Sequence, residues 1–221
     1  MTEAQIDPTG KEHVLFGAAG SGSAVVEVAL EWAGLPYRIV TAATWEPGEG
    51  LTALQQINPL GLIPTLVLPD GSVLSESAAI LIHLGLSHPQ SGLLPGEIPL
   101  RAQVLRALVT IAANCYAAVG ISDYPERWCA EPDGASNERV RRAARMQLHR
   151  AWDIFAQQFR GRPFLFGERP CAADVLAAVV SKWSGARAHL ARSQADFLAL
   201  LERIDAHPAV APVFARHWPS R

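Results

Sequence analysis

The chain has 221 residues, 49% of them hydrophobic and 18% charged, with a formal net charge of −2. This length and composition fit one large or two small domains with a sizeable core, and they exclude a disordered chain. The near-neutral balance argues against a general binder of nucleic acid or membrane surfaces, since neither polyanion would attract it strongly.

Three cysteines, Cys115, Cys129 and Cys171, are widely spaced and form no CxxC pair. Met1 to Lys11 is polar and lacks the apolar stretch of a secretory leader. No run reaches the roughly 18 apolar residues of a membrane span. A reduced, soluble, cytoplasmic protein is predicted.

In chain order, His13 to Ala18 reads as a strand. In Ala24 to Ala33, Val25, Val28, Ala29 and Trp32 recur at helical spacing, and Gly34 is a good helix stop. Tyr37 to Thr41 is a second strand, so this β-α-β pattern favours a parallel pair with a right-handed crossover. Leu51 to Ile57 is a weak helix. Thr65 to Leu68 and Ser72 to Leu74 flank a Pro-Asp-Gly turn and read as a hairpin. Ser77 to Leu86 is a further amphipathic helix. The stretch therefore reads β-α-β-(α)-β-β-α, a small mixed sheet with helices packed on it.

Ser87 to Leu100 is rich in proline and glycine and reads as a linker. Strand signals then disappear. Pro99 to about Val119 is a long helix expected to break or bend at Gly120. Asn137 to Phe159 carries Val140, Ala144, Leu148, Ala151, Phe155 and Phe159 on one stripe. Cys171 to Trp183 is apolar nearly all round, as a helix at the centre of a bundle would be. Ser193 to Ala206 and Val210 to His217 complete an all-helical second half. The predicted division is 1–87, a linker at 88–98, and 99–221.

Pro64 stands at the mouth of the Thr65 strand, where a proline without an N–H is unwelcome. It belongs to Asn58-Pro59-Leu60-Gly61-Leu62-Ile63-Pro64-Thr65-Leu66. Glu76-Ser77-Ala78-Ala79-Ile80 follows, and Gly167 to Asp174 opens a later helix with a capping-box pattern. With the two-part layout, these motifs resemble the cytosolic glutathione S-transferase family over nearly the whole chain. The resemblance implies a thioredoxin-like α/β first domain, an all-α second domain, glutathione as co-substrate without a metal, and a homodimer.

In that family Pro64 would follow a cis bond. The main chain of Ile63 would then face the cleft and pair with the cysteinyl part of glutathione, as an added strand would. Otherwise Pro64 is a trans proline shaping an edge. Ser77, at a helix start, would bind the γ-glutamyl carboxylate, and Glu76 the neighbouring ammonium. Ser77, or Ser75 before it, also suits a plain N-cap. The thiol-activating position falls on Gly20-Ser21-Gly22, with Ser21 as the candidate donor and Ser23 as the reserve; either also suits a helix cap. No Tyr or Cys stands there, which excludes tyrosine-type and cysteine-type activation at that position. Tyr116, Tyr124 and Trp128 would form the electrophile pocket, or belong to the core.

Leu60 and Leu62 occupy a loop where, or before which, the family often has Lys, Arg or Gln for the glycyl carboxylate; only Gln55 and Gln56 are polar nearby. Cys171 is a poor cap acceptor and reads as an inert structural cysteine. The arginines at 139, 141, 142 and 145 read as a solvated helix face. The seven histidines show no paired metal spacing. The expected function is transfer of glutathione to a small electrophile, with isomerase-type chemistry as a variant. The alternative is a non-catalytic binding or regulatory protein on the same scaffold. A glutaredoxin-like oxidoreductase is disfavoured, because no cysteine opens the first helix.

Overall fold

The computed structural model describes residues 12–219. Met1 to Lys11, read above as lacking an apolar leader, lies outside the described residues. One compact unit comprises Met1–Leu94 together with His207–Arg221, and the other comprises Pro95–Ala206. The last helix thus groups with the sheet, whereas the sequence reading placed it within 99–221.

In the first unit, β1 (His13–Gly17), β2 (Tyr37–Thr41), β3 (Thr65–Val67) and β4 (Val73–Ser75) form one sheet in the order β2-β1-β3-β4. β1 pairs parallel with β2 and antiparallel with β3, and β3 pairs antiparallel with β4. The fold is thioredoxin-like. Helices α1 (Ser23–Ala33), α2 (Glu49–Ile57) and α3 (Ser77–Ser87) pack on it.

Side chains alternate along β1 and so divide between two faces. Phe16 joins Leu54 of α2 and Ala42 in one cluster, with Val14, Val40, Leu51 and Val67 around it. Leu15 and its register partner Leu66 point the other way and are fully buried. Burial of each such side chain contributes about 1.5–3 kcal/mol. α1 ends at Gly34, whose φ of 67° suits a left-handed C-cap. At Gly17 a Cβ would lie 2.4 Å from the Cβ and Oγ of Ser23, so only glycine lets the start of α1 sit against the end of β1.

The second unit holds α4 (Ile98–Thr110), α5 (Ala117–Asp123), α6 (Gly134–Gln158), α7 (Ala172–Val180), α8 (Ala186–Ser193) and α9 (Ala195–Asp205). The expected bend at Gly120 is not where the long helix departs from regularity. Gly120 lies inside α5, and the departure is a π-helical stretch, Ile111–Tyr116. Thr110 Oγ1 donates to Arg106 O and Asn114 Nδ2 to Thr110 O, each an extra donor on an i−4 carbonyl. Such bonds compete with the regular ladder and loosen it.

Taken together, Ile98–Asp123 is long and apolar enough to cross a membrane, with an 18-residue window of mean hydropathy 1.7, which corrects the expectation above. Its Val104, Ala107, Leu108, Ile111 and Cys115 are buried against α6 and α7, as in a core helix of a helical bundle.

α6 begins three residues earlier than expected. Asp133 accepts the Ser136 N–H, and Ser136 Oγ accepts the Asp133 N–H, a reciprocal cap. α7 is buried throughout. Asp174 in its first turn accepts the N–H groups of Leu165 and Cys171, which locks the preceding loop to the helix. Burial, and secondarily the Asp174 charge, push the Cys171 thiol well above its ordinary value. Burial pushes the Cys115 thiol up to about 12. Neither thiol supplies a nucleophile at neutral pH.

α10 (Ala211–His217) returns to the first unit and packs on α1.

Candidate functional site

Sheet register places the sequence-derived candidates. Phe16 pairs with Thr65, and Thr65 with Ser75, so these residues form one row across β1, β3 and β4. The turn after β1, the Ile63–Pro64 bond before β3 and the Glu76–Ser77 step after β4 all leave the sheet at this end. Adjacent strands lie about 4.8 Å apart, so the three segments fall within roughly 10 Å. Ser21, Ser23, Ile63, Pro64, Glu76 and Ser77 therefore share one edge.

The Ile63–Pro64 peptide bond is cis, and Pro64 is buried. Among the described residues, neither main-chain polar group of Ile63 has a hydrogen-bond partner. Asn58 braces this loop from inside. Its Nδ2 donates to Thr65 Oγ1 at 2.9 Å and to Leu62 O at 3.3 Å, and its Oδ1 accepts the Leu60 N–H. The role of Asn58 was not read from the sequence, although an Asn-Pro turn is itself a signal for such side-chain bonding. Leu60 and Leu62 are exposed, and the side chain of Gln55 lies beside Gly61.

Glu76 has φ 69° and is exposed, a left-handed conformation that is uncommon for a residue with a side chain. It occupies the N-cap position of α3 without making a side-chain cap bond. Ser77, the first helical residue, is 5% exposed, and its Oγ is buried without a hydrogen-bond partner. The plain N-cap reading of Ser77 is therefore not what the geometry displays. A buried hydroxyl without a partner is costly, of order 1–3 kcal/mol. It stands beside the free N–H groups and positive end of a helix. That combination suits an oxygen anion.

The turn after β1 is hydrogen-bonded almost completely. Ser21 and Ser23 are buried, and their hydroxyl oxygens are 2.8 Å apart. Ser23 Oγ accepts the Ala18 N–H and lies 3.2 Å from Ala18 O, while Ser21 Oγ accepts the Ser23 N–H. When Ser23 gives its proton to Ser21, the Ser21 proton is free for a ligand, and Ala18 O keeps the Ser21 N–H. The pair can thus redirect one hydroxyl proton without stranding a buried acceptor. The Gly20 N–H is held by His217 Nδ1 at 3.2 Å. Within the turn, the Ala19 and Gly22 N–H groups are without a partner among the described residues.

Sequence reasoning missed the support behind this turn. Glu27 of α1, 2% exposed, accepts from His217 Nε2 at 3.1 Å and from Arg216, which also bonds Glu31. Tyr37 donates to Glu31 at 2.9 Å. Burial pushes the Glu27 carboxyl up, but hydrogen bonds from His217 and Arg216, with the Arg216 charge, outweigh it and hold the carboxyl below its ordinary 4.5. A depressed carboxylate stabilises the fold fully above that ordinary value. Its contribution is lost as pH falls through the lower folded value. Denaturant melts at stepped pH should show this acid loss in the wild type and a flatter limb in Glu27→Gln. Parallel limbs would refute the assignment.

In the second unit, Tyr116 stacks on Trp183 with ring centroids 5.5 Å apart. The Arg127 guanidinium lies 4.1 Å from the centre of the Tyr124 ring, and Trp128 is 63% exposed. Tyr116 and Tyr124 are half-buried, so none of the three is closed core. The arginines of α6 are not a purely solvated face. Arg141 donates to Ser122 O and Arg145 to Ser122 Oγ, tying α6 to the end of α5. Among the described residues, no group of three or more His, Cys, Asp or Glu is arranged to hold a metal ion.

A sequence family described as "Glutathione S-transferase, N-terminal domain" matches residues 23–85. The GST-like protein YncG of Escherichia coli K12 is 26% identical over 205 residues, spanning 92% of this chain and 97% of its own. A glutathione transferase of Methylococcus capsulatus superposes with a TM-score of 0.72 at 30% identity, over 91% of this chain and 97% of that one. A glutathione transferase homologue from Sulfitobacter, solved with bound glutathione, superposes with a TM-score of 0.80 at 25% identity, over 91% and 96% of the two chains.

Proposed function

Because the chain belongs to the glutathione S-transferase family, we propose that it is a glutathione transferase whose first unit binds glutathione along the Phe16–Thr65–Ser75 edge. The observation that carries this reading is the buried, unpartnered Ser77 hydroxyl at the start of α3, beside the cis Ile63–Pro64 bond. Ser77 and the first N–H groups of α3 receive the γ-glutamyl carboxylate, and Glu76 its ammonium. The Ile63 main chain pairs with the cysteinyl residue. The thiol then lies at the turn after β1, where Ser21, backed by Ser23, donates to the thiolate. The proton leaves to solvent, and the sulfur lone pair forms the S–C bond as the leaving group departs. With an activated alkene, the same sulfur adds, the chain rotates and the sulfur leaves again, an isomerisation. The protein contributes positioning and charge stabilisation. Tyr116, Tyr124 and Trp128 are the proposed contacts for the electrophile, and a soluble cytoplasmic location belongs to this reading.

A second reading, a non-catalytic glutathione-binding protein, draws on the exposed Leu60 and Leu62 and on hydroxyls already bonded to each other. Retention on immobilised glutathione, with conjugation of a chlorodinitrobenzene, separates the two. Retention with turnover supports transfer, and retention alone supports the second reading. Absence of both retention and turnover would refute both readings. We also propose a homodimer, because Ile98 and Val109 of α4 and Met146 of α6 are exposed apolar side chains that such a contact would cover. Light scattering should give twice the chain mass. A stable monomer at micromolar concentration would refute the dimer and weigh towards the second reading.

A further inference from the structure

We infer that His217, the last residue of α10, is a positioning residue for the thiol-activating turn, acting through the Gly20 N–H. The inference rests on the reading of Ser21 and Ser23 above. His217 is 8% exposed and both its ring nitrogens are engaged. A backbone N–H can only donate, so Nδ1 is bare towards Gly20. An ionised carboxylate can only accept, so Nε2 carries the proton towards Glu27. The ring is thereby fixed as one neutral tautomer between α1 and the turn, 197 residues away in sequence from Gly20.

The rest of the C-terminal segment supports the same placement. A Cβ built on Gly20 would lie 3.7 Å from His217 O and 3.7 Å from Trp218 Nε1, so the end of α10 lies directly against the turn. Gly20 has φ +71°, a conformation that glycine holds without cost but also leaves readily. The Gly20 N–H bond therefore restrains the most permissive residue of the turn, immediately before Ser21. Glu27, buried and held by Arg216, anchors the ring from behind. Ser21 and Ser23 hold each other, but their own bonds reach no farther than Ala18. The tie of the Gly20 amide to a second element runs through His217.

Two conservative substitutions separate the two bonds of the imidazole. Asparagine places its Oδ1 near the position of Nδ1 and keeps an acceptor for Gly20. Glutamine places its Nε2 near that of the histidine Nε2 and keeps the donor to Glu27 while losing the Gly20 acceptor. In His217→Gln, kcat for glutathione conjugation near neutral pH should fall roughly ten-fold, the worth of about one hydrogen bond. The KM for glutathione should stay within about two-fold, since Ser77 and Ile63 are untouched. The rate loss should shrink at high pH, where solution supplies thiolate. His217→Asn should restore kcat to within about three-fold of wild type. Amide hydrogen exchange on the ligand-free protein should show faster exchange at Gly20 and Ser21 in His217→Gln but not in His217→Asn.

Equal losses in both variants, or no loss in either, would overturn the inference, as would a loss confined to KM. If the wild type neither binds nor turns over glutathione, the transferase reading fails. The exchange comparison then still decides whether His217 holds the turn.

Discussion

Ser21→Ala should leave glutathione affinity nearly intact while turnover near neutral pH falls roughly ten- to a hundred-fold, the worth of one donor aimed at a charged atom. The bound thiol would lose the hydroxyl that lowers its pKa from an unperturbed ~8.5, so activity should recover partly at high pH. The variant also loses the acceptor of the Ser23 N–H, and a modest stability loss of about 0.5–1.5 kcal/mol should accompany the effect. Ser23→Ala is the informative partner. It removes the hydroxyl that accepts the Ala18 N–H and faces Ser21 at 2.8 Å. If Ser23 acts only as support, its loss should shift the pH–rate profile less than the loss of Ser21. A wild-type profile in Ser21→Ala with a shifted one in Ser23→Ala would reassign the donor to Ser23. Unshifted profiles in both would leave a main-chain N–H of the turn, Gly22 or Ala19, as the donor.

Ser77→Ala should weaken glutathione binding ten-fold or more, because a hydroxyl donated to a buried carboxylate is worth roughly 1.5–3 kcal/mol. In the ligand-free protein the same substitution removes no hydrogen bond, since Ser77 Oγ has no partner and α3 has no side-chain cap. Thermal stability should therefore stay level or rise slightly as an unsatisfied polar atom is lost. Calorimetric titration with glutathione and a thermal melt settle the matter together. Unchanged affinity with a lower melting point would make Ser77 a local structural residue and remove the observation on which the transferase reading rests.

The sheet and its first helices were legible because their signals are local. The short strand-like runs of β1 and β2, the Pro-Asp-Gly turn and the glycine after α1 each act over a few residues, and the elements form where those patterns stand. The Asn58–Leu66 and Glu76–Ile80 motifs identified the edge, because register then forces Phe16, Thr65 and Ser75 into one row. Local signals failed where the deciding contact was a side chain bonding back to the main chain. Glycine at position 120 suggested a bend, yet the helix departs from regularity where Thr110 and Asn114 load the i−4 carbonyls. Asp133 and Ser136 started α6 earlier than its apolar stripe implied.

The sequence by itself determined the two-part architecture, the family and the three segments that meet at the sheet edge. Those follow from periodicity and short motifs. Only the tertiary structure decided which groups at that edge are satisfied and which are open. It left Ser77 Oγ without a partner, paired Ser21 with Ser23, and brought His217 and Arg216 back onto Glu27. A histidine near the C-terminus and a glutamate in an apolar helix carry no local pattern that links them. Their pairing is set by the path of the chain through the whole fold, and by the requirement that a buried charge find its partners wherever that path brings them.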